Sequence, residues 1–278
     1  MSNNFDKRPI GIFDSGVGGL TVAREIRRLL PHESTVYVGD TARVPYGSKD
    51  VETLLNYGRE IIRFLLTKNV KAVVLACGTS SANAFDVLQD EFPGLPLIDV
   101  LRPGVDACVE MASTRPDTRF GFIATAATVK SGMFQSHLSE RLPGVQLHSR
   151  VCPLFASMVE SGLATEPGNP ILRFAAETYL ADLRGQIDAL VLGCTHYPLL
   201  TDILAHILGD IKFINLAQAT AQATRDRLVQ QPQPAINPIH EFYVSGCADV
   251  FQSTARAIFD EECEPIRIDL GRNREGIK

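Results

Sequence analysis

Two cysteines, Cys77 and Cys194, are the residues of this 278-residue sequence whose setting most invites chemistry. Each closes an apolar run of the same design, KAVVLAC ending at Cys77 and DALVLGC ending at Cys194. A small, hydroxyl-rich segment that reads as a helix start then follows each one: Gly78-Thr79-Ser80-Ser81 after the first, Thr195-His196-Tyr197-Pro198 after the second. A helix N-terminus presents free backbone N–H groups and a positive dipole end, which bind an anion and favour thiolate over thiol. That is the setting of a reactive cysteine. Cys108, Cys152, Cys247 and Cys263 have no matching flanks and are expected to be small core residues. The absence of paired spacing argues against a disulfide framework, and with no C-x-x-C pair no metal site is expected.

The segment Asp14-Ser15-Gly16-Val17-Gly18-Gly19 is the next candidate. Its glycines permit a tight strand-to-helix turn, but no Lys-Ser/Thr follows to make a phosphate loop, and the glycine spacing is not that of a dinucleotide fingerprint. Asp14 has three readings: orienting a thiol, accepting from a substrate ammonium, or capping the helix that follows. His196, two residues from Cys194, has an ordinary pKa of about 6.5 and is placed to assist its proton transfers.

The elements that must position these groups are short apolar strands alternating with amphipathic helices. Ten runs have strand character: PIGIFD, STVYVGD, KAVVLAC, PLIDVL, RFGFIAT, VQLHSRV, DALVLGC, IKFINLA, HEFYVSG and EPIRIDL. Val73-Val74-Leu75 and Leu190-Val191-Leu192 are apolar on successive residues, so both faces are buried, as in a parallel sheet covered by helices. Leu20, Ala23, Ile26 and Leu30, and then Val51, Leu54, Leu55, Ile61, Ile62 and Leu65, recur at helical spacing. In such folds ligands bind at the carboxyl ends of strands, where both cysteines lie. The pattern is also echoed internally. GIFDS ending at Ser15 is matched by GFIAT ending at Thr125, and the two cysteine strands match at a similar offset. This predicts two related α/β units: residues 1–103 with 217–278, carrying Asp14 and Cys77, and residues 104–216, carrying Cys194 and His196. The proline-rich stretch 231–238 reads as a surface loop, and the two strand patterns after it are expected to complete the first unit's sheet.

Composition bounds the function. Apolar residues make up 45% and charged residues 21%, an ordinary globular balance, and the net charge of -5 offers no basic field for nucleic acid. No run approaches the roughly 18–20 apolar residues of a membrane span, and the start lacks signal-peptide order. The expected location is the cytoplasm, without membrane association.

Five motifs carry a resemblance along nearly the whole chain: IFDSGVGGLTV at 12–22, GDTARVPYG at 39–47, ACGTSSA at 76–82, ATAATVKSG at 124–132 and LGCTHYPLL at 192–200. In this order they resemble the glutamate racemases. The resemblance implies two α/β domains related by approximate two-fold symmetry around an interdomain site, and racemisation without pyridoxal phosphate, metal or other cofactor. It assigns Cys77 to the α-proton of the D-enantiomer and Cys194 to that of the L-enantiomer, with Asp14 assisting Cys77 and His196 assisting Cys194. CPLFASMVESG resembles the family's glutamate-bearing stretch and points to Glu160. Asp14, Ser15, Pro45, Tyr46, Gly47, Gly78, Thr79, Thr125, Thr128 and Thr195 fall at substrate-contacting positions. The family's first cysteine motif reads Ala-Cys-Asn-Thr; here the asparagine position is Gly78. If that amide makes one net hydrogen bond to a carboxylate, its absence costs about 1.5–3 kcal/mol. Gly78→Asn is then expected to improve glutamate binding, provided the glycine does not have positive φ. The resemblance further implies a homodimer, a supply of D-glutamate for peptidoglycan and, as in some members, a link to DNA gyrase. Two other functions compete: racemisation of aspartate or another small amino acid, and a weakly active paralogue with a binding role. Intact Cys77, Cys194, Asp14 and His196 favour an enzyme.

Overall fold

The computed structural model describes residues 6–166, 168–228, 237–259 and 263–271. All ten expected strands form: β1 (Ile10–Asp14), β2 (Thr35–Gly39), β3 (Ala72–Leu75), β4 (Leu97–Asp99), β5 (Phe120–Ala124), β6 (Leu147–Val151), β7 (Ala189–Leu192), β8 (Lys212–Asn215), β9 (His240–Val244) and β10 (Ile266–Arg267). The helices are α1 (Leu20–Leu29), α2 (Val51–Thr67), α3 (Gly78–Glu91), α4 (Leu101–Thr114), α5 (Ala126–Lys130), α6 (Met133–Arg141), α7 (Phe155–Glu160), α8 (Pro170–Leu180), α9 (Thr201–Leu208), α10 (Leu216–Leu228) and α11 (Ala248–Phe259). The proline-rich stretch lies outside the described residues except for Asn237 and Pro238, which have no regular structure.

The strands make two parallel sheets, one ordered β10-β9-β2-β1-β3-β4 and the other β6-β5-β7-β8. The order β2-β1-β3-β4 repeats as β6-β5-β7-β8, so the internal echo in the sequence is an echo in topology. Strands β9 and β10 return from the end of the chain to the first sheet. Register carries the echo to single residues. Phe13 pairs with Leu75, and Cys77 follows two residues on; Ile123 pairs with Leu192, and Cys194 follows two residues on. Both cysteines therefore leave their sheets at the switch point where the chain turns to either side, the position at which open α/β sheets bind ligands.

Alternation along the strands sorts the core into three parts. Ile10, Ile12 and Val74 of the first sheet and Phe120, Phe122 and Val191 of the second share one apolar cluster with α1, α4 and α10. Phe13, Val73 and Leu75 face the opposite way, onto α2 and α3. Ile123, Leu190 and Leu192 face α7, α8 and α9. The two sheets are thus joined through their inner faces, and α4 and α10, which carry the chain from one sheet to the other, are packed in that shared core. Leu65, fully buried beneath the first sheet, gives a measure of the packing. Leu65→Ala should lower unfolding stability by about 2–5 kcal/mol, seen in urea as a lower midpoint with unchanged slope.

Candidate active site

The first sheet supplies Asp14, the last residue of β1, and Ser15 beside it. Asp14 is fully buried; its Oδ2 accepts from the Gly16 N–H at 3.0 Å, and its Oδ1 accepts from the Thr195 hydroxyl of the other unit at 3.5 Å. Burial raises its carboxyl above the usual range, although His196 and the N–H groups of Gly16 and Gly19 pull it down. Cys77 caps the N-terminus of α3, and its thiol donates to Ser15 Oγ at 3.5 Å. Contrary to the expectation from a helix N-terminus alone, this thiol is pushed up to about 11. Burial is the main cause and the Asp14 charge adds to it, outweighing Ser15 and the Ser80 N–H. Cys77 is therefore a thiol, and hence a proton donor, at neutral pH.

The second sheet supplies a different environment. Cys194 is not followed directly by an α-helix as expected; a short 3-10 turn, Tyr197–Leu200, comes first, and α9 starts at Thr201. Its sulfur lies 3.6 Å from His196 Nδ1, and His196 Nε2 lies 3.1 Å from Glu160 Oε1. Burial alone would lower the His196 pKa, but Cys194 and Glu160 outweigh it and raise it to about 10. The ring is then an imidazolium at neutral pH and donates at both nitrogens, one N–H to the sulfur and the other to Glu160. A charge this deep is held because both its neighbours are acidic.

Hydroxyls bridge the units. Thr79 on α3 lies 2.9 Å from Thr125 and 3.4 Å from Thr128 across the gap, oxygen to oxygen, while Thr125 and Thr128 lie 2.9 Å apart. The loop before α2 comes in from the side. A Cβ on Gly47 would lie 2.9 Å from Thr125. Tyr46 is buried and donates its hydroxyl to Asp40, while Pro45 stays exposed, joined to Val44 by a cis peptide bond. Asp14, Ser15, Cys77, Gly78, Thr79, Thr125, Thr128, Glu160, Cys194, Thr195 and His196 meet between the carboxyl ends of the two sheets, and Gly47 reaches Thr125 from the incoming loop.

Several residues were not found from sequence. Tyr37 donates to the Gly16 carbonyl at 2.8 Å and supports the turn after Asp14. Asp40, fully buried, accepts from Tyr46, Arg43 and Ser245 and so ties the incoming loop to the returning segment. The GDTARVPYG motif contained Asp40 and Arg43, yet nothing in spacing distinguished them from surface charges. Cys247 is exposed rather than in the core, because it lies in the turn between β9 and α11; Cys108, Cys152 and Cys263 are buried as expected. Gly78 does not have positive φ. A side chain there meets a different obstacle: its Cβ would lie 2.5 Å from the backbone oxygen of Gly193 in the other unit, so the two segments would have to move apart. The expected easy acceptance of asparagine is therefore corrected.

The sequence profile of the Asp/Glu/Hydantoin racemase family matches residues 18–224. A glutamate racemase of Aquifex aeolicus is 39% identical over 256 residues, covering 92% of this chain and 96% of its own. This chain belongs to the Asp/Glu/hydantoin racemase family, among the glutamate racemases. The solved structure of the Francisella tularensis glutamate racemase in complex with D-glutamate superimposes with a TM-score of 0.85 at 32% identity, covering 96% of this chain and all of the other. A Bacillus anthracis glutamate racemase isoform gives 0.87 at 34% identity, with 94% and 97% covered. These racemases thus share the whole architecture of two parallel-sheet α/β domains. Among the described residues no cluster of three or more His, Cys, Asp or Glu side chains is arranged to hold a metal ion, and no helix is long and apolar enough to cross a membrane.

Proposed function

We propose that this chain interconverts L- and D-glutamate without a cofactor, using Cys77 and Cys194 as acid and base on opposite faces of the α-carbon. The observation that carries this reading is the matched placement of the two cysteines at the switch points of two topologically equivalent sheets, with different proton-handling partners at each.

An α-proton beside a carboxylate is a very weak acid, so donors must already be aimed at the developing charge. Thr79, Thr125, Thr128 and Thr195, with Ser15 and the free N–H groups at the start of α3, are the donors around this site. Closure of the domains keeps water away and holds the substrate between the two thiols. In the direction from L to D, the Cys194 thiolate, paired with the imidazolium of His196, takes the α-proton while Cys77, already protonated, supplies one to the other face. The C–H electron pair stays on the α-carbon as the first bond breaks and forms the new C–H bond as the Cys77 thiol gives up its proton, leaving Cys77 as the thiolate. The reverse direction begins from that state. Glu160 holds the His196 ring and balances its charge, and Asp14 faces Cys77 and the substrate ammonium. A single base would tend to return the proton to the side it came from.

Residues 1–103 with 217–278 form the first domain in this reading, and 104–216 the second. D-glutamate would supply peptidoglycan synthesis in the cytoplasm, and a homodimer is the expected assembly. Following the optical rotation of L-glutamate, D-glutamate and each aspartate enantiomer with the purified chain and no added cofactor tests the activity. Glutamate should lose rotation from either side. Racemisation of aspartate but not glutamate would move the substrate assignment, and no activity on any amino acid would favour a binding role.

A further inference from the structure

Gly78 opens α3, yet its backbone does not call for glycine. What calls for it is the second domain, since its Cβ would lie 2.5 Å from the Gly193 carbonyl oxygen. That oxygen has little room to retreat. The Gly193 N–H donates to the Ile123 carbonyl at 2.8 Å, and Gly193 itself is packed against the Phe122 ring, which stacks on Phe134 with centroids 4.3 Å apart. Gly18, on the loop after β1, meets the same segment further along: a Cβ there would lie 2.6 Å from the His196 ring. Between these two glycines, the Thr21 hydroxyl donates to the Thr195 carbonyl at 3.0 Å. The segment Gly193–His196 is therefore seated in a gap that exists because two side chains are missing from the first domain.

We infer that Gly78 is a specificity-determining positioning residue: its missing side chain sets how closely α3 approaches the Gly193–Cys194 segment, and hence the width of the cleft between Cys77 and Cys194. The inference rests on the racemase reading. An ordinary contact between a methyl carbon and an oxygen is about 3.4 Å or more, so an alanine would push the two segments apart by roughly 1 Å. Misplacement on that scale costs a reaction about 100-fold. The cleft width would also decide which side-chain length is accepted, because both thiols must reach one α-carbon while the distal carboxylate is held.

The test uses the full chain carrying Gly78→Ala, with Gly94→Ala as a control, since a Cβ at Gly94 meets no atom within 4 Å. Glutamate kinetics, kinetics with 2-aminoadipate (one methylene longer), melting temperature and iodoacetamide labelling of Cys77 relative to the exposed Cys247 are measured. Gly78→Ala should lower kcat for glutamate about 100-fold with a smaller change in KM, narrow the preference over 2-aminoadipate and label Cys77 several-fold faster. Gly94→Ala should match the wild type. Thr21→Val, which loosens the same segment without touching Gly78, should move kcat and labelling the same way by less, and provides the comparison if Gly78→Ala folds poorly. A folded Gly78→Ala with wild-type kcat overturns the inference. So does a loss of kcat with substrate preference and Cys77 labelling unchanged, or a Thr21→Val that matches the wild type when Gly78→Ala does not fold. A wild type inactive on glutamate would overturn the activity reading instead and leave the labelling comparison as the test of closure.

Discussion

Cys77→Ser and Cys194→Ser should each lose net racemisation of glutamate by 10³-fold or more while remaining folded. A serine hydroxyl is a far weaker acid than a thiol of ordinary pKa about 8.5, so each variant lacks the base on one face and the ready proton donor for the reverse direction. Enantiomers have equal free energy, so kcat/KM must fall equally in both directions whichever cysteine is replaced. The variants differ in isotope exchange. Cys77→Ser should retain slow α-proton exchange of L-glutamate through Cys194, and Cys194→Ser that of D-glutamate through Cys77. Nuclear magnetic resonance of each enantiomer in deuterated buffer reads this directly. Substantial racemisation by either variant would remove the two-base account.

His196→Asn is expected to have the second largest effect, lowering kcat about 100-fold. The imidazolium that donates to the Cys194 sulfur would be gone, and with it the group placed to assist the proton transfers at that sulfur. Stability carries a linked signature. The His196 pKa is raised in the folded protein to about 10, from about 6.5 in the unfolded chain. A raised pKa means that the folded state binds the proton more tightly. The contribution is fully present below the unfolded value and is lost as pH rises through about 10. The stability difference between wild type and His196→Asn should therefore be largest below about pH 6.5 and shrink as pH rises toward 10, as denaturant midpoints across that range would show. A difference independent of pH would mean that the ring is neutral and that the ion pair with Glu160 is not formed.

The fold was largely legible because its information is local. Runs such as Val73-Val74-Leu75 can be buried on both faces only in a covered sheet, and the paired cysteine strands announced two equivalent units before any contact was known. What escaped depends on groups far apart in sequence. Burial of Cys77 by elements from across the chain sets its pKa, and it reverses the effect expected of a helix N-terminus. Asp40 meets Ser245 across 205 positions, a separation that no periodicity reports. Glu160 was reached only through family resemblance, since its contact with His196 joins α7 to the turn after β7. Gly78 was conspicuous in the sequence, but the reason for it lies in the Gly193 carbonyl of the other domain, and the expectation built on backbone conformation alone missed it.

The most direct test of the central claim is the fate of deuterium when wild-type protein acts on L-glutamate in deuterated water, sampled at low conversion. A thiol carries a single proton, which in the closed site exchanges with solvent slowly compared with its return, so a proton taken by Cys194 and returned to the same face restores protiated L-glutamate, whereas the other face receives its hydrogen from a Cys77 thiol equilibrated with solvent before the substrate bound. The account predicts D-glutamate fully deuterated at the α-carbon alongside recovered L-glutamate that is still protiated. Deuterium entering the recovered L-glutamate as fast as the D-glutamate product would mean that one base serves both faces, and would contradict it.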